Sequence, residues 1–170
     1  MAIIQAEQMN TALDAWAEAL AARAAGTPTE RLAVVGIIKH GDILARRLVQ
    51  RLEAKGVHAL YGALDISLYR DDFDLKAAKP ALHSSYLPFS TDALHLVLVD
   101  DVMYTGRTAR AALNAIFEYG RPARVEFHCM MERAGRQLPI RPDYVAFPAT
   151  TPGNVTLHLQ ETDGTDEILF

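Results

Sequence analysis

Apolar residues recur along the chain in two rhythms, and the switches between them mark out its elements. Met9, Leu13, Trp16 and Leu20 fall at helical spacing, which places them on one face of a helix from about residue 6 to 25. Gly26-Thr27-Pro28 ends it. Leu32 to Ile38 is a short, almost wholly apolar run, the pattern of a strand buried on both faces. His40-Gly41 breaks that run, and Asp42 stands where it can cap a helix carrying Ile43, Leu44, Leu48 and Leu52 that stops near Lys55-Gly56. Leu64, Ile66 and Leu68 alternate with Asp65 and Ser67, which predicts a strand with one wetter face. Leu94 to Val99 is a second apolar strand, followed by a helix from Thr105 to Tyr119 that Gly120-Arg121-Pro122 terminates. Val125 to Met131 is a third strand, Glu132 to Pro142 a polar connection, and Val155 to Leu159 a last strand.

Between Tyr69 and about Asp92 the pattern dissolves into Arg70-Asp71-Asp72, Lys76, Lys79-Pro80, two serines and Pro88. A loop this long inside a compact domain is usually functional, and a mobile lid over 69–92 is the expectation. Apolar strands alternating with amphipathic helices predict an α/β fold, a mostly parallel central sheet flanked by helices. The length of 170 residues suits one domain, residues 1–170. Ligands of such sheets bind beyond the carboxyl ends of the strands, which directs attention to the loops starting at residues 38, 69, 100 and 132.

Composition narrows the function classes. Lys and Arg total 17 against 21 Asp and Glu, a net charge of −4, which argues against indiscriminate nucleic-acid binding. No apolar stretch approaches the ~18 residues of a membrane helix, and Met1-Ala2-Ile3-Ile4-Gln5 lacks the basic head of a signal peptide. The lone cysteine, Cys129, lies in an apolar run and fits a buried thiol in a reducing cytoplasm. His58, His83, His95, His128 and His158 are scattered with no zinc spacing, and Trp16 reads as core or subunit contact.

The chemistry concentrates in Leu96-Val97-Leu98-Val99-Asp100-Asp101-Val102-Met103-Tyr104-Thr105-Gly106-Arg107-Thr108. A buried strand ends in two carboxylates, and a short loop then opens a helix. Gly106 permits a tight turn. Amides at the helix N-terminus, joined by the Thr105 and Thr108 hydroxyls, form a positive concavity suited to a phosphate dianion. Asp100 and Asp101 can accept hydrogen bonds from sugar hydroxyls. Acceptors beside a phosphate cradle suggest a sugar phosphate.

This string closely resembles the phosphoribosyl-pyrophosphate signature of type I phosphoribosyltransferases, and the chain resembles the pyrimidine operon attenuation proteins that double as uracil phosphoribosyltransferases. The resemblance runs from about residue 33 to 163. It includes Gly36-Ile37, Leu44-Ala45-Arg46-Arg47-Leu48, Leu64 through Asp72, Leu138 through Val145 and Gln160-Glu161-Thr162-Asp163. It implies the type I phosphoribosyltransferase fold with a small hood at about 132–150 and a flexible lid. Asp100 and Asp101 would bind the ribose 2- and 3-hydroxyls, with Val102, Met103, Tyr104, Thr105, Gly106, Arg107 and Thr108 around the 5-phosphate. Lys39, His40 and Gly41 would meet the pyrophosphate together with Arg70, which counts with the two acids as catalytic. Arg133, Arg136, Leu138, Pro139 and Ile140 would face the uracil ring. Mg2+ would enter mainly on the pyrophosphate oxygens, with no protein side chain assigned as its ligand. The partners implied are phosphoribosyl pyrophosphate, uracil, UMP and a second copy of the chain, in the cytoplasm.

Departures from the family pattern touch both roles. The family carries an Arg at His40 and a Lys at Ile38, with Lys39 a neighbouring substitute. The family's Asp-Arg-Gly-His-Arg is here Glu132-Arg133-Ala134-Gly135-Arg136, so both arginines survive and the His is gone. The family's RNA-binding face uses basic residues on the first helix, where this chain has Thr11, Asp14, Ala15 and Glu18. Residues 1–30 hold Arg23 against Glu7, Asp14, Glu18 and Glu30, and carboxylates repel RNA phosphates. Phe147 replaces a further Lys. Arg121, Arg124, Arg136 and Arg141 read as solvated charge before they read as a half-patch. Three readings stand: a uracil phosphoribosyltransferase, a nucleotide-sensing RNA-binding attenuator with little turnover, and a phosphoribosyltransferase for another base.

Overall fold

The computed structural model describes residues 2–27, 31–70 and 84–170, with the backbone alone at 149 and 150. The elements in chain order are β1 (Ile3–Gln5), α1 (Ala6–Ala25), β2 (Leu32–Ile37), α2 (Gly41–Ala54), β3 (Ala59–Leu64), β4 (His95–Met103), α3 (Arg107–Ile116), β5 (Arg124–Arg133), β6 (Tyr144–Thr151), β7 (Thr156–His158), α4 (Gln160–Asp163) and β8 (Glu167–Leu169). A five-stranded sheet in the order β3-β2-β4-β5-β6 is parallel throughout. Each of its faces is covered, which is why β2 and the first part of β4 read as unbroken apolar runs. Leu32, Val34, Val97 and Val99 turn toward α1 and α2, while Ala33, Val35, Leu96 and Leu98 turn toward α3. Met9, Leu13, Trp16 and Leu20 are fully buried on the inner stripe of α1, as their spacing predicts. Cys129 is likewise buried, and its surroundings push the thiol pKa far up. Among the described residues, no helix is long and apolar enough to cross a membrane.

Several expectations are corrected. The strand expected over Leu64–Leu68 lies earlier, as β3, and Ser67–Tyr69 is a 3-10 turn. Asp65 explains the break: its Oδ1 accepts from the Ser67 amide at 2.9 Å and the Ser67 hydroxyl at 2.6 Å, an alternative to the sheet ladder. Asp42 does not cap α2; it sits in the first turn, and His40 occupies the capping position. The helix expected from Thr105 begins at Arg107, and its last turn, Phe117–Tyr119, tightens to 3-10. The strand expected at Val155–Leu159 is β7, neither last nor part of the central sheet. It joins β1 and β8 in a small antiparallel sheet of order β1-β8-β7. β6 lies within what read as irregular chain; it is the edge of the sheet, where Pro148 costs no ladder bond.

The lid expectation falls largely on residues 71–83, outside the described residues, with Asp71, Asp72, Lys76 and Lys79-Pro80. The chain beyond residue 83 lies against the sheet: Tyr86 and Ala63 exchange backbone hydrogen bonds of 2.7 and 2.8 Å, and Leu87 and Phe89 pack on the α3 side of the core.

A buried polar chain ties α1 to β4 and β5. Trp16 Nε1 donates to His128 Nδ1 at 3.0 Å, and His128 Nε2 and His95 Nε2 stand 2.9 and 2.8 Å from the two oxygens of Glu126. Because His128 Nδ1 accepts, its Nε2–H donates to Glu126 and the ring is neutral. That bond is the largest cause holding the Glu126 carboxyl down at about 2, while burial lowers the His128 pKa. Both shifts act in the same sense. Below pH 6.5 the unfolded chain takes up the His128 proton that the folded chain resists, and below about 4.5 it takes up the Glu126 proton as well. Thermal stability is therefore expected to fall as pH drops through 6.5 and more steeply between 4.5 and 2. Melting temperatures measured across that range in wild type and in Glu126→Gln check this, since the variant loses the steeper limb.

Candidate active site

The site is built where β2 and β4 end side by side. Gly36 and Gly41 allow the segment between them to fold back on the sheet. A Cβ on Gly36 would stand 2.2 Å from the Gly41 carbonyl oxygen, and one on Gly41 would stand 2.3 Å from the Val99 carbonyl oxygen. Both obstacles are backbone, so no side chain fits. The Ile38-Lys39 peptide is cis, and His40 has φ of 74°, a left-handed conformation uncommon for a residue with a Cβ. The turn presses Lys39 and His40 against the carboxyl end of β4.

Asp100 and Asp101 sit at that end. Asp100 is buried, and its Oδ1 accepts from the Asp101 amide at 2.9 Å. Burial, and then the neighbouring Asp101 charge, raises the Asp100 carboxyl well above the usual carboxylate range. Asp101 is partly exposed. Its Oδ1 accepts from the Val102 amide at 2.6 Å, and its Oδ2 lies 3.1 Å from His40 Nδ1. A cavity of about 330 Å³ opens above the pair, lined by Lys39, Arg70, Asp100, Asp101, Val102 and Thr108 among others. Two cations, two carboxyl groups and the hydroxyls of Ser67 and Thr108 thus share one space.

Gly106 (φ 96°) caps α3, and the Arg107 amide donates to Thr105 Oγ1 at 3.3 Å. The Thr105 carbonyl accepts from the Gln137 and Leu138 amides at 2.9 and 3.1 Å, which clamps the loop after β5 onto the loop after β4. The Arg133 guanidinium lies 4.1 Å from the centre of the exposed Tyr104 ring, and a Cβ on Gly135 would stand 2.5 Å from that ring. Arg136 Nη1 donates to the Leu138 carbonyl at 2.9 Å, and Ile140 packs on the α3 side of the core.

The expected site residues therefore divide into two groups. Lys39, Arg70, Asp100, Asp101, Val102 and Thr108 meet around the cavity, with His40 bonded to Asp101. Tyr104, Thr105, Gly106 and Arg107 form the adjoining turn, against which Arg133 at the end of β5 and Leu138 in the connection after it lie, with Arg136, Pro139 and Ile140 in the same connection. Met103 is buried in the core, with its side-chain tip packed beneath the turn, 3.5 Å from where a Cβ on Gly106 would stand. Ile37, Ile38, Ile66 and Ser67 also line the cavity; they lie in or beside segments that resemble the family but are not among the expected site residues. Asp163 is likewise absent from the expected site residues, although Gln160 through Asp163 resembles the family; its carboxylate comes within 3.9 Å of His40 Nε2.

Comparison with known proteins agrees with this geometry. The phosphoribosyl transferase domain family model matches residues 5–160. The "Bifunctional protein PyrR" of Akkermansia muciniphila is 49% identical over 169 residues, covering 99% of this chain and 94% of that protein. The protein of the same name from Deinococcus radiodurans is 41% identical over 167 residues, covering 96% of this chain and 90% of its own length. In fold, the hypoxanthine phosphoribosyl transferase of Trypanosoma cruzi superposes with a TM-score of 0.76 at 20% identity, covering 99% of this chain and 89% of that one. A structure of that enzyme with its product IMP gives 0.73 at 18% identity, covering 97% and 90%. A parallel sheet whose strand end carries Asp100-Asp101 and the Thr-Gly-Arg-Thr turn, matched by relatives over nearly the whole chain, makes this protein a phosphoribosyltransferase of the PyrR family.

Proposed function

We propose that the protein makes UMP and pyrophosphate from uracil and phosphoribosyl pyrophosphate, as a single domain over residues 1–170 in which the hood expected at about 132–150 narrows to the connection after β5, since Tyr144–Thr151 is the sheet's edge strand β6. The observation that carries this reading is the cavity in which Asp100, Asp101, Lys39, Arg70 and Thr108 converge beside the Thr105–Thr108 turn. A vicinal diol needs acceptors, a 5-phosphate needs clustered donors, and a leaving pyrophosphate needs cations, and the groups around this space include all three.

In the proposed reaction the uracil N1 forms a bond to the anomeric carbon while that carbon's bond to the pyrophosphate oxygen breaks. The N1 proton leaves to solvent, and the electron pair of the broken bond goes to pyrophosphate. Asp101 accepts from the ribose hydroxyls. Asp100 stands beside it at the strand end, its carboxyl raised by burial and by the Asp101 charge. Thr105, Thr108 and the amides of the turn hold the 5-phosphate. Lys39 and Arg70 face the charge that develops on the leaving group. Among the described residues no group of three or more His, Cys, Asp or Glu side chains is placed to hold a metal ion; the proposed ion is one carried on substrate oxygens. Mg2+ bound there would neutralise the pyrophosphate as it departs. The hood connection, clamped to Thr105, supplies the wall against which the base lies.

Asp101→Ala is expected to lower kcat/KM at least a hundredfold while leaving the melting temperature within a few degrees. Turnover assayed with labelled phosphoribosyl pyrophosphate and a panel of bases checks both the acid and the base preference. Activity near wild type in that variant overturns the ribose assignment, and preference for a purine overturns uracil.

The resemblance to attenuation proteins raises a second reading, RNA binding, and α1 speaks against it. Asp14 pairs with Arg51 of α2 at 2.8 Å, and Glu18 contacts Lys55. Arg23, the single basic residue of α1, is directed at Glu126 (3.4 Å) and at the Asp143 carbonyl (3.2 Å). Phe147 packs on the core beside this helix. The face is thus an ion-paired surface with its charges matched, lacking the positive excess that counterion release requires. Filter binding with a pyrimidine-leader stem-loop at physiological salt is expected to show no micromolar affinity.

A further inference from the structure

His40 belongs to the loop assigned to pyrophosphate, yet its ring is directed at two carboxylates of its own chain. Nδ1 is 3.1 Å from Asp101 Oδ2 at the end of β4, and Nε2 is 3.9 Å from Asp163 Oδ2 in α4. Nε2 is buried and has no hydrogen-bond partner. With Nδ1–H donating to Asp101, a neutral ring would turn a bare lone pair toward the Asp163 carboxylate. A protonated ring turns an N–H toward it instead, so both neighbours favour the imidazolium.

Asp163 is held in place by independent contacts. Its Oδ2 accepts from the Leu159 amide at 2.9 Å and from the Thr162 hydroxyl at 2.6 Å. The segment carrying it is fastened to α2 by Arg47, whose guanidinium reaches Glu161 at 2.9 Å and Asp166 at 2.8 Å. His40 is fixed from the other side by its left-handed backbone and by Gly41 seated on Val99. The imidazole therefore spans two anchored walls. One is the small antiparallel sheet, and the other is the proposed ribose acceptor.

We propose that His40 and Asp163 are positioning residues for Asp101, and that the protonated imidazole between the two carboxylates fixes Asp101 for the ribose hydroxyls, so that capture of phosphoribosyl pyrophosphate weakens as pH rises. The proposal rests on the ribose role given to Asp101 above. Asp101 keeps capacity for a sugar hydroxyl, because each of its oxygens carries a second lone pair beyond the bonds to Val102 and His40. The charged groups facing the ring are Asp101 from β4 and Asp163 from α4, which favour the cation, and Lys39 of its own loop, which opposes it; the hydrogen bond that His40 donates to Asp101 is the largest influence and carries the His40 pKa above 6.5. His158 in turn faces Asp163 from β7. The cation is complete below the raised pKa and disappears as pH climbs through it.

The test uses the intact protein, with phosphoribosyl pyrophosphate and excess Mg2+ as the probe and no base present, titrated calorimetrically from pH 6 to 9. The comparison is among wild type, His40→Arg and Asp163→Asn. Asn at 163 keeps an oxygen to accept from Leu159, so α4 stays capped. Ionisation of the ligand's own phosphate is common to all three proteins, and the His40→Arg curve removes it. Relative to that curve, wild-type Kd is expected to rise at least fivefold between pH 6.5 and 8.5, while kcat, read in a parallel turnover assay with uracil added, changes less than twofold. Asp163→Asn is expected to move the inflection toward lower pH. The His40 imidazole resonances, followed by NMR in the ligand-free protein, are expected to titrate above 6.5 in wild type and lower in Asp163→Asn. A wild-type profile parallel to His40→Arg, or an NMR titration that Asp163→Asn leaves unmoved, overturns the proposal. Absence of phosphoribosyl pyrophosphate binding in wild type and His40→Arg alike overturns the phosphoribosyltransferase reading beneath it, while the ligand-free NMR titration still decides the triad.

Discussion

The site depends on one close approach of backbone to backbone. The loop after β2 can reach the acids at the end of β4 only because Gly36 and Gly41 bring no Cβ into a gap already filled by the carbonyls of Gly41 and Val99. That contact sets where Lys39 and His40 stand, and it does so through rigid main chain rather than flexible side chains. Preorganisation of this kind lowers the reorganisation that binding and catalysis would otherwise require. The two strands that deliver the loop and the acids are neighbours in the sheet, pairing from Leu32 with His95 to Gly36 with Val99. The register of a buried parallel pair therefore becomes the geometry of a polar cavity.

The second support comes from the periphery. The hood connection is tied to the phosphate turn by two amides on the Thr105 carbonyl, and Arg133 stacks on Tyr104. The antiparallel sheet β1-β8-β7 carries α4, which Arg47 fastens to α2. The central sheet supplies the acids and the phosphate turn, and two smaller units close the flanks with charged and aromatic contacts.

Sequence reading reached the parts of this arrangement whose physics is local. β4, the turn and α3 were legible because an unbroken apolar run, two acids and a Thr-Gly-Arg-Thr turn succeed one another within thirteen residues of the sequence. α1 was legible from its spacing alone. β6 was not, because Pro148 argues against a strand until the edge position is known. β1 and β8 were not, since three residues each form a strand only by pairing across the whole chain. The Leu64–Leu68 alternation misled because the Asp65 side chain competes locally with the sheet, and alternation records none of that competition. Asp163 was invisible as a site residue because its distance from His40 in sequence is closed by tertiary packing alone.

Trp16 is the single tryptophan, stacked on Tyr144 at 5.6 Å and bonded to His128 within the layer between α1 and the sheet. The cavity opens instead at the carboxyl ends of β2 and β4. The molecule thus carries an intrinsic fluorophore that watches the packing of α1 on the sheet and is not a lining group of the cavity. Its emission offers an optical record of unfolding in which nucleotide occupancy contributes little direct signal.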